Sequence, residues 1–115
     1  MVAGCSYEAR KFGVHSAQPI SQAYRLCPQA IYLRPDYTLY DEASEQVMKI
    51  LRSHAEKFEQ MSIDEAFLDL SGRVENFEEA AVLASGIKRE VWEKTELTCS
   101  VGLAPNKSAA KIASD

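Results

Sequence analysis

No stretch of this sequence stays apolar for the ~18 residues that a membrane-crossing helix requires. Its start, MVAGCSYEAR, lacks the basic region and long apolar run of a secretion signal. Both absences predict a cytoplasmic protein without membrane association. Cysteine is scarce: Cys5, Cys27 and Cys99 are odd in number, widely spaced and free of any Cys-x-x-Cys pairing, which argues against a disulfide framework and against a zinc site. Two histidines, His15 and His54, are too few and too distant in sequence for a histidine-rich metal centre, so any metal chemistry must use oxygen ligands. An excess of positive charge is missing as well. Thirteen Lys and Arg stand against 17 Asp and Glu, for a net charge of −4 and a pI near 5.2, so bulk charge does not predict a polyanion as partner. The charge is uneven, however, with acids dense between Asp36 and Glu65 and bases toward the ends at Arg10, Lys11, Lys107 and Lys111. No repeat, low-complexity tract or linker interrupts the chain. At 115 residues and 46% hydrophobic content it can bury roughly two-thirds of its unfolded surface around one core.

What is present reads as alternating elements in the order βααβαββαβα. VAGCS is extended, YEARKF is a short helix stopped at Gly13, and Pro19 suits the first turn of a second helix that ends before Cys27-Pro28. Residues 30–35, AIYLRP, read as a strand. Pro35-Asp36 then opens a long helix with Tyr40, Ala43, Val47, Ile50 and Leu51 on its core face. Residues 58–63 and 66–70 form a hairpin with Asp64-Glu65 at or beside the connection. Asn76 and Glu79 resemble a capping box ahead of a helix whose buried stripe is Ala80, Leu83, Ala84, Ile87 and Val91. Leu97, Cys99, Val101 and Leu103 alternate with Thr98, Ser100 and Gly102 as a half-buried strand should, and Pro105-Asn106 starts a last helix. The expected class is α+β, a mixed and largely antiparallel sheet with helices on one face, beside a small helical subregion.

Within QMSIDEAFLDL, an Asp-Glu pair in a regular strand would send its side chains to opposite faces; at a turn they need not diverge. Mg²⁺ takes one or two protein carboxylates and fills its remaining positions with water and phosphate oxygens, a demand that Asp64 and Glu65 meet. Two-metal phosphoryl transfer wants at least one further acid. A solvated turn accounts for the same pair, and Asp69 reads as a surface or capping acid rather than a ligand. Tyr7 and Arg10, three residues apart on one helical face, fit either a plain Tyr–Arg contact or a grip on phosphate oxygens at a helix start. Lys107 and Lys111, four apart, fit a solvated face or a DNA contact.

Taken together and in this spacing, CSYEARKFGV, SIDEAFLDLS and SVGLAPNKSAAKIASD resemble the Y-family translesion DNA polymerases, in the DinB or DNA polymerase IV branch, over essentially the whole chain. The resemblance implies a template-directed, DNA-directed DNA polymerase active in DNA repair, which joins dNTPs to a primer 3′-hydroxyl by two-metal phosphoryl transfer. It implies residues 1–34 as fingers and 35–115 as part of a ferredoxin-like palm. Asp64 would bind the catalytic Mg²⁺ ions, with Glu65 as the adjacent acidic residue of the active site. Tyr7 and Arg10 would bind the incoming triphosphate, and Ala3, Ser16 and Ala17 would lie over the nascent base pair, where small side chains leave room for damaged templates at the expense of fidelity. Lys107 and Lys111 would lie near the DNA backbone. The implied partners are primer-template DNA, dNTP and, through other segments, a sliding clamp.

Several family features are not in these residues: an upstream strand with another metal-binding Asp and an aromatic steric gate, a following lysine for the triphosphate, the thumb and the basic little finger. Gly4 stands where members often carry a hydroxyl. The expectation is therefore a truncated portion of a polymerase that does not extend a primer alone. Two other readings stay open, a template-free nucleotidyl enzyme such as a cyclase and a non-catalytic module that keeps the fold for interaction.

Overall fold

The computed structural model describes all of residues 1–115 and divides into two compact units, Met1–Asp36 and Tyr37–Asp115. In the first unit, α1 (Tyr7–Arg10) starts at Ser6, whose Oγ accepts from the Ala9 amide at 3.2 Å. Gly13, at φ +91°, ends the following turn, as its freedom from a Cβ allows. Helix α2 (Ile20–Leu26) begins after Pro19, and the Cys27 amide donates to the Ala23 carbonyl. Val2, Val14, Ala23 and Cys27 form this unit's small core.

One buried polar side chain organises that unit. Gln18 is 1% exposed; its Nε2 donates to the Gly13 carbonyl at 3.1 Å and its Oε1 accepts from the His15 amide at 3.3 Å. Val2 donates to the Gln18 carbonyl and accepts from the Ala17 amide, both at 2.8 Å. The extended segment at residues 1–5 is thus held by two backbone bonds to residues 17 and 18 and does not form a strand. Ala17 takes φ +66° to make its bond, a left-handed conformation that costs a residue with a Cβ about 1–2 kcal/mol.

The second unit contains α3 (Tyr37–Arg52), β1 (Lys57–Gln60), β2 (Ala66–Asp69), α4 (Phe77–Thr95) and α5 (Lys107–Ser114). The strands pair antiparallel, with Phe58 opposite Leu68 and Gln60 opposite Ala66 on one face, and Lys57 opposite Asp69 and Glu59 opposite Phe67 on the other. Leu68 packs with Val47, Ile50 and Leu51 of α3 and Leu83, Ile87 and Val91 of α4, so the two long helices cover its face. The α+β class stands, with helices against one face of an antiparallel sheet.

The sheet is smaller than the sequence predicts. Residues 30–35 and 97–103 are not strands, and the only ladder joins β1 to β2. Strand propensity expresses itself only where a neighbouring backbone takes up the N–H and C=O groups, and these segments have no such neighbour. Ile31 and Leu33 accordingly lie 87% and 86% exposed. Tyr40, expected on the core face of α3, is also exposed and stacks edge-on against Tyr37, while Met48 is buried.

Asn76 caps α4 as expected, its Oδ1 accepting from the Glu79 amide at 2.8 Å; the Glu79 carboxylate reaches one residue further than the usual box, accepting from the Glu75 amide at 2.7 Å. Glu96 closes the helix in a left-handed conformation, φ 59°. His54, just beyond α3, meets Glu90 of α4 at 3.0 Å, and Lys94 meets the other carboxylate oxygen at 3.2 Å. The hydrogen bond from His54 first, and that from Lys94 second, hold the Glu90 carboxyl below its usual 4.5. A carboxyl lowered in the folded state stabilises the fold above its unfolded value and loses that contribution as pH falls through the folded one. Thermal unfolding should therefore separate wild type from Glu90→Gln at about pH 6, and the gap should narrow as pH falls below the ordinary carboxylate range.

Candidate active site

The hairpin that carries the acids has a five-residue connection, Met61 to Glu65, three residues longer on the β1 side than the sequence predicts. The Met61 and Ser62 amides both donate to the Glu65 carbonyl, at 2.9 and 3.2 Å, which closes the loop. Ser44 on α3 donates to the Ile63 carbonyl at 2.5 Å and ties the loop to the helix. Ser62 Oγ donates to Asp64 Oδ1 at 2.8 Å and fixes that carboxylate's orientation. Asp64 and Glu65 are thus adjacent and exposed on a tethered loop, outside either strand.

Asp69 is spent elsewhere. Its Oδ1 accepts from both the hydroxyl and the amide of Ser71, at 2.9 Å for the amide, and these two bonds, the hydroxyl's first, hold its carboxyl below the usual range. It secures the turn after β2, the role its sequence position implies. No group of three or more His, Cys, Asp or Glu side chains is placed to hold a metal ion; Asp64 and Glu65 are two neighbouring exposed carboxylates.

Helix α5 approaches this region by way of Gly102. A Cβ at that position would lie within 3.0 Å of Ala113 C and closer still to the Ala110 carbonyl and Ser114 amide, all backbone atoms of α5. Asn106 caps the helix, accepting from the Ala109 amide at 2.9 Å. Lys107 then pairs with Glu59 and stands 5.7 Å from the Phe67 ring centroid, while Lys111 pairs with Glu65 and lies 4.0 Å from Asp115. The bond to Glu65 is the main reason that the Lys111 ammonium is held above its usual range. The two lysines that the sequence offers as DNA contacts are thus each joined to a glutamate.

In the first unit, the Arg10 guanidinium lies 5.1 Å from the Tyr7 ring centroid, on an exposed face, and makes no ion pair. Helix α1 is a single turn, so its dipole adds little and the charge comes from Arg10 itself. Ala3, Ser16 and Ala17 are all exposed, Ala3 following Val2 and Ser16 preceding Ala17 in the backbone pairing that Gln18 supports. This unit holds four basic residues and two acidic ones, the second nine and fifteen, so their net charges are +2 and −6. Sequence reading did not find Gln18, Ser44 or Gly102. Ser44 and Gly102 act through partners distant or unpatterned in sequence, whereas Ser62, two residues before Asp64, carried a local signal as a serine in a turn.

The impB/mucB/samB family model matches residues 1–115. DNA polymerase IV 2 of Methanosarcina mazei is 57% identical over 114 residues, 99% of this chain and 31% of that protein. DNA polymerase IV of Methanoculleus marisnigri is 55% identical over all 115 residues and 32% of its own length. Among solved structures, DinB from Sulfolobus solfataricus matches with a TM-score of 0.92 at 47% identity, over 96% of this chain and 33% of that one. An insertion ternary complex of Dbh DNA polymerase matches at 0.89 and 47%, over 93% and 31%. The chain spans about a third of the length of the curated relatives it matches. With a match that runs from the first residue to the last, the chain belongs to the impB/mucB/samB family.

Proposed function

We propose that these residues supply catalytic carboxylates and triphosphate contacts to a template-directed DNA polymerase that copies past lesions. The observation that carries this reading is the hairpin loop, which presents Asp64 and Glu65 side by side in solvent on a connection fastened to α3. Residues 1–34 would act as fingers and 35–115 as part of a palm. The cytoplasm would be its place of action; no helix is long and apolar enough to cross a membrane.

The donor set fits Mg²⁺, which takes one or two carboxylates and leaves other positions to water and phosphate oxygens. Asp64 and Glu65 would hold it; when bound it supplies positive charge to the triphosphate and acidifies the primer 3′-hydroxyl. Ser62 keeps the Asp64 carboxylate oriented for that task. Arg10, without a carboxylate partner and backed by Tyr7, would take phosphate oxygens through its planar fork. Ala3, Ser16 and Ala17 would leave space above the nascent pair, and Lys107 and Lys111 would lie toward the DNA backbone. Gly4 has no atom within 4 Å of where a Cβ would stand, so a hydroxyl residue fits there without displacement.

The test is a chimera in which these 115 residues replace the matching third of a solved relative, assayed for primer extension with Mg²⁺ and dNTPs. Extension that follows the template and depends on Asp64 is the expected result. A folded chimera that turns over dNTP without a template would favour a cyclase-like enzyme, and one with no turnover a non-catalytic module.

A further inference from the structure

Of the two lysines of α5, Lys111 sits at the acidic loop. Lys111 Nζ is bonded to Glu65 Oε1, with Asp64 the next residue along the loop. The position is built rather than incidental: Gly102 admits the α5 backbone, Asn106 caps the helix, and Lys107 anchors its first turn on Glu59 and Phe67. Lys111 stands one turn further, so the anchored helix presents its ammonium to the hairpin loop. Both partners are about half exposed, 47% and 48%, so the pair is open to competition from a stronger cation and to screening by salt.

The geometry points to Lys111 as an internal counter-ion that holds Glu65 while the carboxylate pair carries no metal, and must give it up for both Glu65 oxygens to serve a divalent cation. The inference rests on the reading of Asp64 and Glu65 as a metal-holding pair. It also reconciles two uses of one residue. An ammonium bound to Glu65 is held at the loop and shares its charge with that carboxylate, whereas one released from it can turn fully to a phosphate, so metal entry and the freeing of a positive charge for DNA become the same event. Lys107 is the built-in contrast, since its partner Glu59 lies on β1, outside the loop that carries the pair.

Mn²⁺ binding to the purified chain, read by water-proton relaxation at low ionic strength, tests this without any assay of activity. Lys111→Met should bind Mn²⁺ about two- to fivefold more tightly than wild type, the range an exposed ion pair supports. Lys111→Arg, which keeps the charge, should stay near wild type. The gain in Lys111→Met should shrink in about 1 M salt, where the screening length falls to roughly 3 Å. Circular dichroism of each variant establishes that it is folded before titration. If Asp64→Asn abolishes binding but Lys111→Met binds no more tightly than wild type, the counter-ion inference is overturned and the metal reading survives. If binding is the same in Asp64→Asn as in wild type, both are overturned.

Discussion

Replacing Asp64 with Asn in the chimera should lower templated primer extension by about a thousandfold, roughly 4 kcal/mol of transition-state stabilisation. The substitution keeps the shape of the side chain, and an amide oxygen can still accept the Ser62 hydroxyl that now bonds Oδ1. What it removes is the negative charge. Because the side chain is exposed and its only fixed partner is retained, the unfolding midpoint should move by no more than about 0.5 kcal/mol. That separation of activity from stability distinguishes a catalytic carboxylate from a solvated turn. Extension within about tenfold of wild type would place the essential charge elsewhere, and an equal loss of stability would make Asp64 a structural residue.

The second large effect is on the fold. Gly102→Ala should destabilise the second unit by about 1–3 kcal/mol, the usual cost of forcing atoms into a packed contact. The new methyl would meet backbone of α5, which cannot rotate aside as a side chain does. The helix must move outward, and the bonds Lys107–Glu59 and Lys111–Glu65 would loosen together. Amide hydrogen exchange in α5 should accelerate with the shift in denaturation midpoint. Gly86→Ala is the matched comparison: it lies in α4, exposed, with no atom within 4 Å of the added methyl, and should stabilise by about 0.5–1 kcal/mol. Equal responses at the two glycines would remove the case for close packing at residue 102.

The helices of this protein are written locally. The stripe Ala80, Ala84, Ile87 and Val91 is buried in α4 as its spacing predicts, and Asn76 and Asn106 both cap where they stand. A helix satisfies its own backbone and shows its core face within a few residues, so short-range pattern suffices. Strands at residues 30–35 and 97–103 were equally well patterned, yet neither exists, because the pairing that defines a strand comes from another segment. Gly102 illustrates the difference. It reads as the outward position of an alternating strand, whereas it is the point where α5 meets the chain backbone to backbone.

The same division runs through the site. Residue types and order alone determined the family and the placing of Asp64 beside Glu65, since these depend on which side chains are present and how they are spaced. Tertiary structure decided what each group is joined to: Ser44 on the acidic loop, Val2 on Ala17 and Gln18, and above all the lysines of α5 on Glu59 and Glu65. Those partners lie 19 to 48 positions apart where the loop and α5 are concerned. Charge attraction acts through space and carries no sequence period, so only the folded chain could show that Lys111 is joined to Glu65.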